Sequence, residues 1–153
     1  MGFGHSNTWV MLMIKKISVV IVLLIMFLQP KVISAKGFKY VEIFDPKQEK
    51  VVKVVQLNSE INDMVSSWVK NVDSLYGIVD PITDDGYALR IPLDPPINVE
   101  TKCLKGLINE VFILIPEKQP PFFMVFENES KVNCFSFDGN IDELSKALDF
   151  ELK

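Results

Sequence analysis

Two short, almost unbroken apolar runs constrain this chain most: Val111-Phe112-Ile113-Leu114-Ile115 and Pro121-Phe122-Phe123-Met124-Val125-Phe126. Neither alternates with polar residues, so both read as strands covered on both faces. Pro116-Glu117-Lys118-Gln119-Pro120 separates them. A connection that short favours an antiparallel hairpin. A second tight turn, Glu127 to Lys131, leads into Val132 to Phe137. The region therefore reads as a three-strand meander, with the two apolar strands central in their sheet.

The residues before it add strands and one long helix. Phe38 to Phe44 and Lys50 to Leu57 are rich in β-branched and aromatic residues and flank the turn Asp45-Pro46-Lys47-Gln48-Glu49, which predicts a hairpin. Asn58 or Ser59 then caps a helix expected to run to about Tyr76. Ile61, Met64, Val65, Trp68, Val69, Val72, Leu75 and Tyr76 recur at gaps of three and four, one apolar stripe at helical period. Gly77 stands where a left-handed terminator belongs. Trp68 lies in mid-stripe and reads as a core anchor. Ala88 to Leu93 reads as a short strand, placed at a sheet edge because it contains Pro92. Leu104, Leu107 and Ile108 suggest a short helix, weakened by Gly106. After Asp138-Gly139, Asn140 caps a terminal helix from Ile141 to about Asp149, with Glu143 three residues on. The sum is an α+β domain: a mainly antiparallel sheet of five to six strands, with one long amphipathic helix and a short C-terminal helix packed on it. If helices cover one face, loops or a partner must cover the other.

The N-terminal region governs where this domain works. Ile17 to Leu28 is an apolar run of twelve residues directly after Lys15 and Lys16. Gln29-Pro30-Lys31 and the small-residue exit Ser34-Ala35 follow. Basic, apolar and small in that order are the parts of a secretory signal peptide. Twelve helical residues reach about 18 Å, against the roughly 30 Å of a bilayer core. The expectation is a signal over residues 1–35, cut between Ala35 and Lys36, and an exported domain over 36–153. An uncleaved anchor is the alternative, and it leaves the domain on the same side. Trp9-Val10-Met11-Leu12 is an unusual start for a signal, whereas Met13 opens an ordinary one.

Composition narrows the chemistry. From Lys36 onward there are 13 basic and all 20 acidic residues, a net of −7. Such a surface argues against nucleic acid and against anionic membranes. His5 is the only histidine and lies in the leader, so residues 36–153 hold no imidazole to act as a general base or zinc ligand. Cys103 and Cys134 would close a loop of about 30 residues if they paired outside the cytoplasm, worth roughly 3–4 kcal/mol in the chain-entropy picture. Two separate buried thiols are the other reading.

Candidate sites are few. Asp80, Asp84 and Asp85 with Gly86 form an acidic loop that could meet Ca²⁺, although the spacing departs from the twelve-residue calcium loop. Glu110, before the run Val111 to Ile115, is the first carboxylate to inspect for carboxylate-based hydrolysis. Asn128-Glu129-Ser130 matches a glycosylation acceptor. Phe112, Phe122, Phe123, Phe126, Phe135 and Phe137 could line an apolar pocket or simply form core. No nucleotide, metal or nucleophile motif stands out, and no cofactor is expected. The favoured expectation is an exported, non-catalytic domain that binds or inhibits a protein or other envelope partner. A small envelope hydrolase and a membrane-tethered accessory subunit are the alternatives.

Overall fold

The computed structural model describes residues 10–17, 37–77, 84–128 and 131–153. The chain divides into two compact units, Met1–Gly37 and Phe38–Lys153. In the first, residues 10–17 form helix α1, with exposed side chains. No helix among the described residues is long and apolar enough to cross a membrane. The segment Ser18 to Lys36, with the proposed cut at Ala35 and Lys36, lies outside the described residues, as does His5.

The second unit is α+β. Its elements are β1 (Tyr40–Asp45), β2 (Lys50–Gln56), α2 (Ser59–Lys70), β3 (Tyr87–Glu100), β4 (Lys105–Ile115), β5 (Phe122–Asn128), β6 (Lys131–Ser136) and α3 (Ile141–Leu148). The six strands form one sheet in the order β2-β1-β3-β4-β5-β6, every neighbouring pair antiparallel. The two apolar strands β4 and β5 lie inside the sheet, as their composition requires.

Register explains the core. Ile43, Leu89, Ile113, Phe123 and Phe135 stand opposite one another across five strands. None is more than 2% exposed. Ile61, Val65 and Val69 of α2 and Ile141, Leu144 and Leu148 of α3 join them in a single apolar cluster. One row along, on the opposite face, the same register aligns Glu42, Arg90, Phe112, Met124 and Cys134. Arg90 there bridges Glu42 (3.2 Å) and Glu110 (2.8 Å) across three strands.

Three expectations are corrected. The long helix ends at Lys70, capped by Asn71, and does not reach Tyr76 or use Gly77. Beyond Val72 the chain is taken up by the outer edge of β6. Tyr76 N–H donates to Cys134 O (2.8 Å), Leu75 forms a bridge with Phe135, and the hydroxyls of Ser74 and Ser136 lie 2.6 Å apart. Asn71, Asp73 and Ser74 bond readily outside helices, which makes the exit cheap.

Second, β3 is no short edge strand. It runs fourteen residues between β1 and β4. Its pairing with β1 stops at Arg90, so at Pro92 only β4 pairs with it. The proline does mark an edge, but a local one. Third, Leu104, Leu107 and Ile108 form no helix. Thr101 to Leu104 is a tight turn, and Lys105 onward returns as β4 beside Ile97–Glu100. Thr101 N–H donates to Leu104 O (2.9 Å), and Leu104 N–H donates to Thr101 Oγ1 (3.0 Å).

Candidate binding cleft

The hairpin of β3 and β4 is bent. Between Pro92 and Ile97 the register slips, so that Leu93 to Pro96 of β3 stand against Asn109 alone of β4. Such a bulge redirects the strand beyond it. The outer half of the hairpin turns toward the end of α2: Cys103 Sγ lies 3.9 Å from Val72 O, and Val99 and Leu104 are buried in the core. β5 and β6 do not follow. The ladder between β4 and β5 therefore covers only Phe112 to Leu114 against Met124 to Phe122.

Where the two hairpins part, a cleft of about 520 Å³ opens. Val125, Leu104 and Ile108 contribute its buried lining. Leu75, Leu107 and Phe126 line it while remaining 61%, 69% and 49% exposed. Phe126 is held by an edge-on contact with Phe112, ring centroids 5.2 Å apart. Single exposed apolar residues are ordinary, but three large ones around one concavity are not.

One wall is unpaired main chain. The hydrogen bond from Thr101 N–H to Leu104 O closes the hairpin, and bonding then alternates along an antiparallel ladder. The N–H and C=O of Lys105 and Leu107 consequently point away from β3, and among the described residues no strand pairs with them on that side. The rim is basic. Lys102 and Lys105 have no ion-pair partner among the described residues, while Lys131 pairs with Glu127 at 2.6 Å. Lys131, with help from the Asn133 amide, holds the Glu127 carboxyl below the usual carboxylate range.

A second cavity, about 560 Å³, lies by Tyr87, Ile115, Pro116, Pro121 and Leu152. Its charged rim is already satisfied within the chain. Lys47 bonds Glu117, which pushes the ammonium pKa up, and Lys153 pairs with Asp142 at 3.1 Å. A smaller cavity of about 340 Å³ lies beside Trp68 and Phe137, whose ring centroids are 5.2 Å apart. Both rings press on Gly139, where an added Cβ would lie 2.1 Å from Phe137 and 2.7 Å from Trp68. Trp68 is thus a half-buried packing residue.

The residues singled out in the sequence do not converge. Asp80 lies outside the described residues. Asp84 is exposed, whereas Asp85 Oδ1 accepts Glu117 N–H at 3.0 Å and ties two loops together. Among the described residues no group of three His, Cys, Asp or Glu could hold a metal ion. Glu110 accepts two bonds from Arg90 (2.8 and 3.2 Å), which hold the guanidinium firmly charged. Glu110 is part of an ion pair on the sheet and not a carboxyl in an apolar pocket.

Cys103 and Cys134 are both free thiols, and burial pushes the Cys134 thiol up. The phenylalanines split. Phe122, Phe123 and Phe135 are buried, Phe137 packs on Trp68, and Phe112 pairs with Phe126 at the cleft. Asn128 ends β5, but Glu129 and Ser130 of the glycosylation pattern lie outside the described residues. The cleft residues Lys102, Lys105 and Leu107 escaped sequence reasoning because Leu107 fitted a helical stripe. The alternation Ile97, Asn98, Val99, Glu100 is the period-two signal that a strand continues past the prolines.

The chain matches no protein-family model, no curated protein and no solved structure in comparison with each.

Proposed function

We propose that residues 36–153 are an exported, non-catalytic binding domain that engages a protein partner outside the cytoplasm through the cleft between the two hairpins. The observation that carries this reading is the short β4–β5 ladder. It leaves unpaired main-chain groups, exposed apolar side chains and two lysines that form no ion pair among the described residues around one concavity. The larger cavity by Tyr87 has its charges paired internally, so it offers a partner less. The leader supports export: a basic pair, a short apolar run and a small-residue exit are what the secretion machinery recognises.

Gel filtration of the extracytoplasmic extract tests the reading. The chain is expected to elute in a species larger than itself. Leu107→Asp with Phe126→Asp should move it to the monomer position without changing its exported amount or melting temperature. Both side chains are substantially exposed, so the pair should cost the fold little. A chain found only in the cytoplasm, or a double variant that elutes with the wild type, would refute the proposal.

A further inference from the structure

The cleft has the chemistry of one particular kind of partner. We infer that it takes an extended, acidic segment of another protein as an added strand along Lys105–Val111 of β4; this rests on the binding role proposed above. Three independent features converge. The first is backbone. Lys105 and Leu107 present N–H and C=O groups toward the cleft, and an antiparallel or parallel strand satisfies such groups at every second residue. The second is apolar. A strand places alternate side chains on opposite faces, so every other residue of the segment can meet Leu75, Leu107 and Phe126. The third is charge. Lys102 and Lys105 flank the entrance and form no ion pair among the described residues, although Glu100 stands opposite Lys105 in the ladder, in a domain with 13 basic against 20 acidic residues. A local basic rim on an acidic molecule selects for an acidic segment and repels most of the molecule's own surface.

The outer edge at β2 is built differently, which sharpens the assignment. β2 carries Lys53 on its inner side opposite Ile43, with the ammonium tied to Asp149. An inward charge of that kind is a device that blocks strand addition. The far edge of β6 is occupied by Leu75 and Tyr76. Other flanks are also unpaired among the described residues, on β3 beyond Arg90 and on β5 beyond Met124, but Lys105–Val111 of β4 is the one that brings an exposed leucine and a lysine without an ion pair to the cleft.

The test uses residues 38–153, which form a compact unit around their own core. Three labelled heptapeptides serve as probes: valine alternating with aspartate, valine alternating with lysine, and the acidic peptide N-methylated at every second residue. The acidic peptide should bind saturably and slow the amide exchange of Lys105 and Leu107. N-methylation removes strand donors and should abolish binding. Lys105→Glu should weaken it about fivefold, the scale of one exposed ion pair. Equal binding of the basic peptide, or equal binding of the methylated one, would overturn the inference. So would exchange of Lys105 and Leu107 that is already slow in a peptide-free dimer seen by sedimentation. If no peptide binds but Leu107→Asp with Phe126→Asp still dissolves the larger species in extracts, strand addition fails and the binding role stands. If both experiments fail, both readings fall.

Discussion

Ser66 is the odd residue of α2. It lies 6% exposed on the buried side of the helix, and its hydroxyl has no hydrogen-bond partner among the described residues. A buried, unpaired hydroxyl costs stability that a methyl group does not, and alanine is the better helix former. Ser66→Ala is therefore expected to be neutral or to raise stability by up to about 1 kcal/mol in urea unfolding. Gly86 has the opposite character. Its φ of 70° is left-handed, and an added Cβ would sit 1.8 Å from Ile115 O. Gly86→Ala should cost about 2 kcal/mol or more, read as a lower urea midpoint.

Asp45 is a third case, and its signature is pH. Burial opposes ionisation of its carboxyl, but the Gln48 amide (2.7 Å) and the backbone N–H groups of Gln48 and Lys47 outweigh it and hold the pKa down. The unfolded chain then takes up a proton more readily than the folded one. The contribution is complete above the unfolded value and is lost as pH falls below about 4. Asp45→Asn should flatten the acid limb of a stability–pH curve. Parallel curves for the two proteins would contradict this.

At the scale of elements, each success and failure of the sequence has a physical cause. α3 was legible because its evidence is local. Asn140 Oδ1 accepts from the N–H groups of Asp142 (3.0 Å) and Glu143 (3.4 Å), and Ile141, Leu144 and Leu148 are spaced for one buried face. Leu144→Ala, at a position with no exposure, should cost about 2–5 kcal/mol of unfolding free energy. The start of α2 was legible for the same reason, with Asn58 Oδ1 accepting Ile61 N–H at 2.9 Å. Its end was not, because what stops it is the edge of β6, sixty residues later in the chain. The long β3–β4 hairpin was hidden by Pro92, Pro95 and Pro96. Those prolines sit at a bulge that the pattern of single residues cannot distinguish from a strand end. The cleft follows from that bulge, so it was hidden with it.

At the scale of the whole molecule, the sheet divides its labour. The middle of the sheet, where Ile43 to Phe135 align beneath two helices, carries the stability. The end where the hairpins part buries Val99, Leu104 and Ile108, but its ladder to β5 is short and Leu75, Leu107 and Phe126 are left exposed around it. A region of that kind can change partners at small cost to the fold, which suits a binding surface. An acid excess of this kind favours solubility, and the lysines at the cleft make its rim locally basic.

The most direct test places a photoreactive residue at Leu107 in the living cell, and a second at Glu143 on the exposed side of α3 as a control. Illumination should give one discrete extracytoplasmic adduct from position 107 and none from 143. The crosslinked partner peptide should be acidic and free of proline. No adduct from 107, or adducts of equal yield from both positions, would contradict a binding role for the cleft.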